Sequence, residues 1–141
     1  MLYNNGQGGP QDYVKARQWY EKAATQGHAN AQSALGALYS VAKGGPQDYV
    51  MAGQWYEKAA TQGHAEAQFI IGTLYVRGQG VPQDYVRAYM WLTLAAANLT
   101  GDKQKVAADN RDKLASIMTP AQIAEAKRLT QQCQAQGFKG C

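Results

Sequence analysis

The 141-residue sequence is poor in most of the features that announce a chemistry. Two cysteines are too few for a disulfide scaffold or a four-ligand zinc site. The longest apolar stretch, about Met90 to Ala97, falls far short of the roughly 20 residues that cross a bilayer, so no membrane span is expected. The opening Met1-Leu2-Tyr3-Asn4-Asn5-Gly6 lacks both the basic start and the apolar core of a signal peptide. Positive charge is only mildly in excess, 14 basic against 10 acidic residues, with no run of Lys or Arg. A nucleic-acid footprint is therefore not indicated. No Gly-x-Ser-x-Gly, Walker or Gly-x-Gly-x-x-Gly motif occurs in context. Charged residues are also sparse, 17% against 45% apolar, which excludes a disordered tail and fits one ordinary folded domain.

What the sequence does have is a repeat. Pro10-Gln11-Asp12-Tyr13-Val14 returns as Pro46-Gln47-Asp48-Tyr49-Val50 and as Pro82-Gln83-Asp84-Tyr85-Val86, each 36 residues on. Trp19, Trp55 and Trp91 keep that offset, as do Ala23-Ala24, Ala59-Ala60 and Ala95-Ala96. Gly27-His28-Ala29 returns as Gly63-His64-Ala65, and Gly36, Leu38 and Tyr39 as Gly72, Leu74 and Tyr75. A period of this length belongs to solenoids of helix pairs. The expected fold is an all-α superhelical solenoid of antiparallel helix pairs with a C-terminal helical cap.

Each unit reads as two helices. The first covers about 29–41 and again about 65–77, where Ala31, Leu35 and Leu38 recur at helical spacing. Gly36 and Gly72 weaken these helices by about 1 kcal/mol against Ala, so each is expected to admit a close neighbour. The second helix is expected to start at Asp12, Asp48 or Asp84, whose carboxylates can cap the free N–H groups. Tyr13, Ala16, Tyr20 and Ala23 make its buried row, and Gly27 and Gly63 end it. After the third unit, Gly101-Asp102 opens another helix to about Ile117. Thr119-Pro120-Ala121-Gln122 then forms a capping box for a last one, to about Gln134. Leu114, Ile117 and Met118 are expected to pack on Ile123, Ala126 and Leu129. The domain divides into a partial unit over 1–27, units over 28–63 and 64–100, and cap and tail over 101–141.

The start is anomalous. Leu2-Tyr3 aligns with Leu38-Tyr39, so most of a first helix is missing, and the helix around Trp19 is expected to expose the face its partner would cover. Either the chain is a fragment of a longer product, or that face pairs with another molecule, including a second copy.

The spaced pattern of Leu-Gly, Tyr, loop glycines, Asp-Tyr, Ala, Trp-Tyr, Ala-Ala and Gly resembles the Sel-one-like repeat, a relative of the tetratricopeptide repeat. The match spans Gly36 to Gly63 and Gly72 to Ala96 and covers about 2–97. Arg111-Asp112-Lys113-Leu114 to Met118-Thr119-Pro120, then Gln122-Ile123-Ala124, is similar to the closing segment of bacterial members. The resemblance implies a right-handed superhelix that recruits proteins or peptides on its concave side, as adaptors in signalling, envelope biology or host interaction. Two departures stand out: the short start, and Ala42-Lys43-Gly44-Gly45, which lacks the second glycine spacing of the loop.

Replication within the chain separates folding from function. A residue present in the same register of every unit serves the unit, whereas one that changes is free to serve a partner. His28 and His64 share one register and fall on the order of 10–20 Å apart in stacked helices, too far for bonds of ~2.0–2.1 Å to one zinc. They read as turn histidines, and no metal or cofactor is implied. The aspartates read as caps and the tryptophans as packing, rather than as carboxylate pairs or stacking platforms. No residue reads as an activated nucleophile beside its base, so no catalytic residue is assigned.

The variable positions are more informative. Asn30, Ser33, Ala37 and Ser40 occupy one register row on the first helix of a unit. Glu66, Phe69, Thr73 and Val76 occupy it on the next, extended by Arg77. Such a stripe would line a groove, with Phe69 as the anchor and Glu66 and Arg77 as polar selectors for a protein or peptide. The competing reading is unconstrained solvated surface.

Cys133 and Cys141 enclose a flexible segment containing Gly137 and Gly140. The same Cys-x7-Cys spacing occurs in the cysteine-rich branch of the family. A bridge would imply an oxidising, extracytoplasmic compartment such as a periplasm, while two free thiols would suit a cytoplasmic chain. Some cysteine-rich relatives are associated with β-lactam binding. Three functions therefore stand: a non-catalytic interaction module, a small-ligand binder or hydrolase, and a piece that self-assembles through its open N-terminal face.

Overall fold

The computed structural model describes residues 10–141, with side chains described from Asp12 onward. The chain before Pro10, including the alignment of Leu2-Tyr3, lies outside the described residues. Among the described residues are seven helices and no strand: α1 (Pro10–Thr25), α2 (Ala29–Ser40), α3 (Tyr49–Thr61), α4 (Ala65–Arg77), α5 (Tyr85–Asn98), α6 (Gly101–Ala115) and α7 (Pro120–Ala135). Consecutive helices from α1 to α6 pack on one another, as in a helical solenoid.

Local chemistry sets the boundaries. Asp48 and Asp84 sit in extended backbone, where their carboxylates accept the N–H groups of Met51 (3.1 Å) and Arg87 (3.0 Å). Asp12 does not repeat this. α1 begins at Pro10, a residue suited to the first helical position, which moves Asp12 inside the first turn. Thr119 and Gln122 make both bonds of the capping box, at 2.9 and 3.1 Å.

The units interlock through small residues. A Cβ added to Gly36 would stand 3.0 Å from the Tyr56 ring, and one on Gly72 would stand 3.1 Å from Leu92. Tyr56 and Leu92 hold the same register, so each glycine admits the large residue of the following helix. A polar ladder runs beside this packing, buried at Gln32 and Gln68 and exposed at Gln104. Gln32, Gln68 and Gln104, 36 residues apart, donate their side-chain amides to the carbonyls of Ala24, Ala60 and Ala96 at 3.1, 3.1 and 2.9 Å. Gln62 and Asn98 then donate to the oxygens of Gln32 and Gln68, at 2.8 and 3.1 Å. Each glutamine amide adds a bond to a carbonyl in the last turn of the preceding helix; those of Ala24 and Ala60 also accept the N–H groups of Gly27 and Gly63.

The irregular loop at Ala42-Lys43-Gly44-Gly45 has a physical partner. Arg17 donates to the carbonyls of Leu38 (3.0 Å) and Lys43 (2.9 Å) and lies over the Tyr39 ring. Gly45 faces its guanidinium, which leaves no space for a Cβ. One unit later the sizes are exchanged: Gly53 replaces Arg17, and Val81 replaces Gly45 and packs against Gly53. The departure from the loop pattern is thus a large–small swap across one contact.

The C-terminal cap keeps most of the expected packing, with Leu114, Met118 and Ala126 in one core and Ile123 and Leu129 against it. α7 lies against α5 rather than on α6. Leu114, Met118, Ala126 and Cys133 join the core around Trp91 and Leu92. Ile117, expected in that contact, lies in the turn after α6 and is 63% exposed.

Candidate binding groove

α5 packs against both α4 and α6 and holds them apart, leaving a groove between the two with Leu92 at its floor. Two cavities lie along it. The first, about 350 Å³, is formed by Glu66, Phe69 and Ile70 of α4, Leu99, and Asp102, Lys103 and Val106 of α6. The second, about 300 Å³, is formed by Thr73, Val76 and Arg77 of α4, Leu92, and Asn110, Lys113, Leu114 and Ile117. The first takes the N-terminal turns of both helices and the second their C-terminal turns, so α4 and α6 run parallel.

Five of the stripe residues come together here. Phe69 is half-buried against Ala95, Ala96 and Ala107, so it forms a wall with one face open. Thr73 is turned back on its own helix and donates to the Phe69 carbonyl at 3.0 Å. Val76 borders the core, while Arg77 is exposed. Glu66 meets Lys103 across the groove mouth at 2.5 Å, and the hydrogen bond from this ammonium holds its carboxyl below the usual range. The α2 residues do not join them. Asn30 lines a separate cavity of about 790 Å³ with Trp19, Tyr20 and Ala34. Ser40 donates to the Ala37 carbonyl at 2.9 Å, and Ser33 is half-buried elsewhere on α2.

The opposite wall was missed from the sequence. Asp102, Lys103, Val106, Asn110 and Lys113 of α6, and Ile117 just after it, belong to a segment read only as a cap. The signal was present, since Gln104 continues the register of Gln32 and Gln68 and marks α6 as the first helix of a further unit. Val106 and Ile117 are apolar yet 48% and 63% exposed on this wall.

The two histidines are turn residues. His64 accepts the Ala67 N–H on Nδ1 at 3.1 Å, and His28 makes no capping bond. Among the described residues, no three His, Cys, Asp or Glu side chains group as a metal site would require.

The Sel1 repeat family model matches residues 1–28, 29–64 and 65–98. The chain belongs to the Sel1 repeat family. Sel1 repeats are generally protein-interaction modules, and their fold is generally a non-catalytic scaffold. A solved protective antigen of uropathogenic Escherichia coli strains, displaying an SLR fold, superposes with a TM-score of 0.84 at 33% identity. The match covers 94% of this chain but only 28% of that antigen's. A Sel1 repeat protein from Oxalobacter formigenes is similar over 65% of this chain and 69% of its own, with a TM-score of 0.61 at 36% identity. A search of curated proteins finds no match.

The tail carries a disulfide between Cys133 and Cys141, whose Cα atoms are 5.4 Å apart. It folds Phe138 onto the core beside Gly63 and brings the Cys141 carbonyl within 2.6 Å of the Arg87 guanidinium.

Proposed function

We propose that this chain is a non-catalytic adaptor that binds a protein segment in the α4–α6 groove. The observation that carries this is the coincidence of variation with opening. Most residues replicated between units serve caps, ladder and core, while Glu66, Phe69, Thr73, Val76 and Arg77 vary and line the two cavities. The exposed Val106 and Ile117 complete an apolar strip of the kind that marks a binding site. The disulfide supports an oxidising, extracytoplasmic setting. Selection from a displayed random-peptide library tests the reading. Selected peptides are expected to lose binding to a Val106→Glu/Ile117→Glu variant that melts like the wild type. Equal binding to both proteins would place recognition elsewhere.

A second reading concerns α1. Trp19 is 53% exposed beside the 790 Å³ cavity, although its counterparts are buried. We read this face as a contact for a second copy of the chain. Light scattering checks it: a dimer abolished by Trp19→Arg supports the contact, and a monomer at high concentration removes it.

A further inference from the structure

The cavity at the C-terminal end of the groove has a composition that names its occupant. Arg77 and Lys113 stand in the same register on parallel helices and line one space. Among the described residues, neither makes an ion pair or a side-chain hydrogen bond. Asn110, half-buried in the same cavity, adds an amide donor. Beneath them lie Leu92, Leu114 and Val76. Two cations and an amide over an apolar floor suit a carboxylate carried on an aliphatic stem. A planar carboxylate accepts from a guanidinium through both oxygens, and an ammonium adds a point charge.

The other cavity has no such surplus of positive charge. Lys103 is engaged by Glu66, with Asp102 beside them. Its walls are Phe69, Ile70, Leu99 and Val106, which fit an uncharged apolar side chain. From Ile70 to Arg77 is seven residues of helix, about 10 Å at 1.5 Å per residue. An extended segment covers that distance in about three residues, at roughly 3.3 Å each.

The geometry points to a specific ligand class: an extended protein segment with an apolar residue in the first cavity and a carboxylate three positions away on Arg77 and Lys113. This rests on the groove reading above and sharpens it. Acidic residues near the first cavity also set the polarity, because Asp102 opposes an acidic group there.

Fluorescein-labelled synthetic peptides test it on the full chain. The probe is Gly-Ser-Leu-Ser-Ser-Asp-Ser-Gly, with versions carrying Asn or Lys for Asp and Ala for Leu. Anisotropy is expected to show the Leu/Asp peptide binding about tenfold tighter than the Asn or Ala versions, with the advantage over Asn shrinking as salt is raised. An Arg77→Glu/Lys113→Glu variant should reject the Asp peptide and accept the Lys peptide. Both positions are exposed, and a wild-type melting temperature would show that the fold is kept. Equal binding of Asp and Asn peptides would overturn the proposal, as would an Asp peptide indifferent to the charge reversal. So would no binding by any of the peptides. In each of those cases the library selection still decides separately whether the groove binds protein segments, through Val106 and Ile117.

Discussion

The first and third units place the same residue in opposite surroundings. Trp19 is 53% exposed, Trp55 is 7% exposed and Trp91 is fully buried. All three hold one register. Trp55 is enclosed by Ala24 at the end of the unit before it and by Ala31 and Leu35 on the first helix of its own unit. Trp91 has Ala60, Ala67 and Ile71 at the corresponding positions, and its core includes them. Trp55 and Trp91 are therefore buried mainly by the first helix of their own unit, with one alanine from the unit before. The largest expected effect breaks this symmetry. Trp91→Ala should cost ~3–5 kcal/mol in urea unfolding, as a large core truncation does. Trp19→Ala should stay within ~0.5 kcal/mol, as surface changes do. Equal losses would mean that the units do not stack as described.

The two ends of the chain sharpen the same comparison. The α1 face carries a cavity, whereas α7 packs against α5 and is tied to the tail by the Cys133–Cys141 bridge. Cross-linking a nine-residue loop restricts the unfolded chain by roughly 2.6 kcal/mol on the loop-entropy rule. Cys133→Ser/Cys141→Ser should lose about that amount, read from the denaturation midpoint under oxidising conditions. A reducing agent should lower the wild type to the level of the variant and leave the variant unchanged.

Helix caps give a smaller contrast between units. Asp84 holds the Arg87 N–H, and Asp84→Ala should cost ~1 kcal/mol. Asp12 sits within α1, and Asp12→Ala should cost less than half of that, through the helix dipole alone. Thermal melts of the two variants decide the order. Comparable losses would indicate that α1 starts at Asp12 after all.

That contrast also shows how the sequence could be read and where reading stopped. The 36-residue identities carried the helix pairs, because capping aspartates, terminal glycines and small–large contacts are local or nearest-neighbour effects. The identities could not show the different start of α1, since the same Pro-Gln-Asp opens α3 and α5 with the aspartate as cap. They also could not place α7. Leu114, Met118 and Ala126 are core residues whether α7 lies on α6 or on α5, and only the shape of the last unit chooses. The groove was half legible. Variation between α2 and α4 singled out Glu66, Phe69, Thr73, Val76 and Arg77, but α6 diverges so far that Gln104 alone keeps its register visible. Exposure at Trp19 was legible from the repeat alignment, whereas at Ile117 it was not, because an exposed apolar side chain has the same letter as a packed one.

The smallest effect lies at the groove mouth, where Glu66 and Lys103 join two units in a way that Asn30 of α2 cannot. Both side chains are largely exposed, so solvent screens the pair, and a double-mutant cycle with Glu66→Gln and Lys103→Gln should give a coupling of at most ~0.5 kcal/mol. The sign with pH follows from the Lys103 hydrogen bond, which holds the Glu66 carboxyl below its usual range. The folded state then binds this proton less readily than the unfolded chain. Its contribution is complete above the ordinary carboxylate range and fades as pH falls through the lowered value. Wild type and Glu66→Gln should therefore converge in stability under acid and separate slightly near neutrality. Ligand binding sharpens the point, because the pair lies in the cavity assigned to an uncharged side chain. Breaking it with Glu66→Gln frees Lys103 and should relax the cavity's preference toward acidic peptides, a change visible in the anisotropy series even where stability hardly moves.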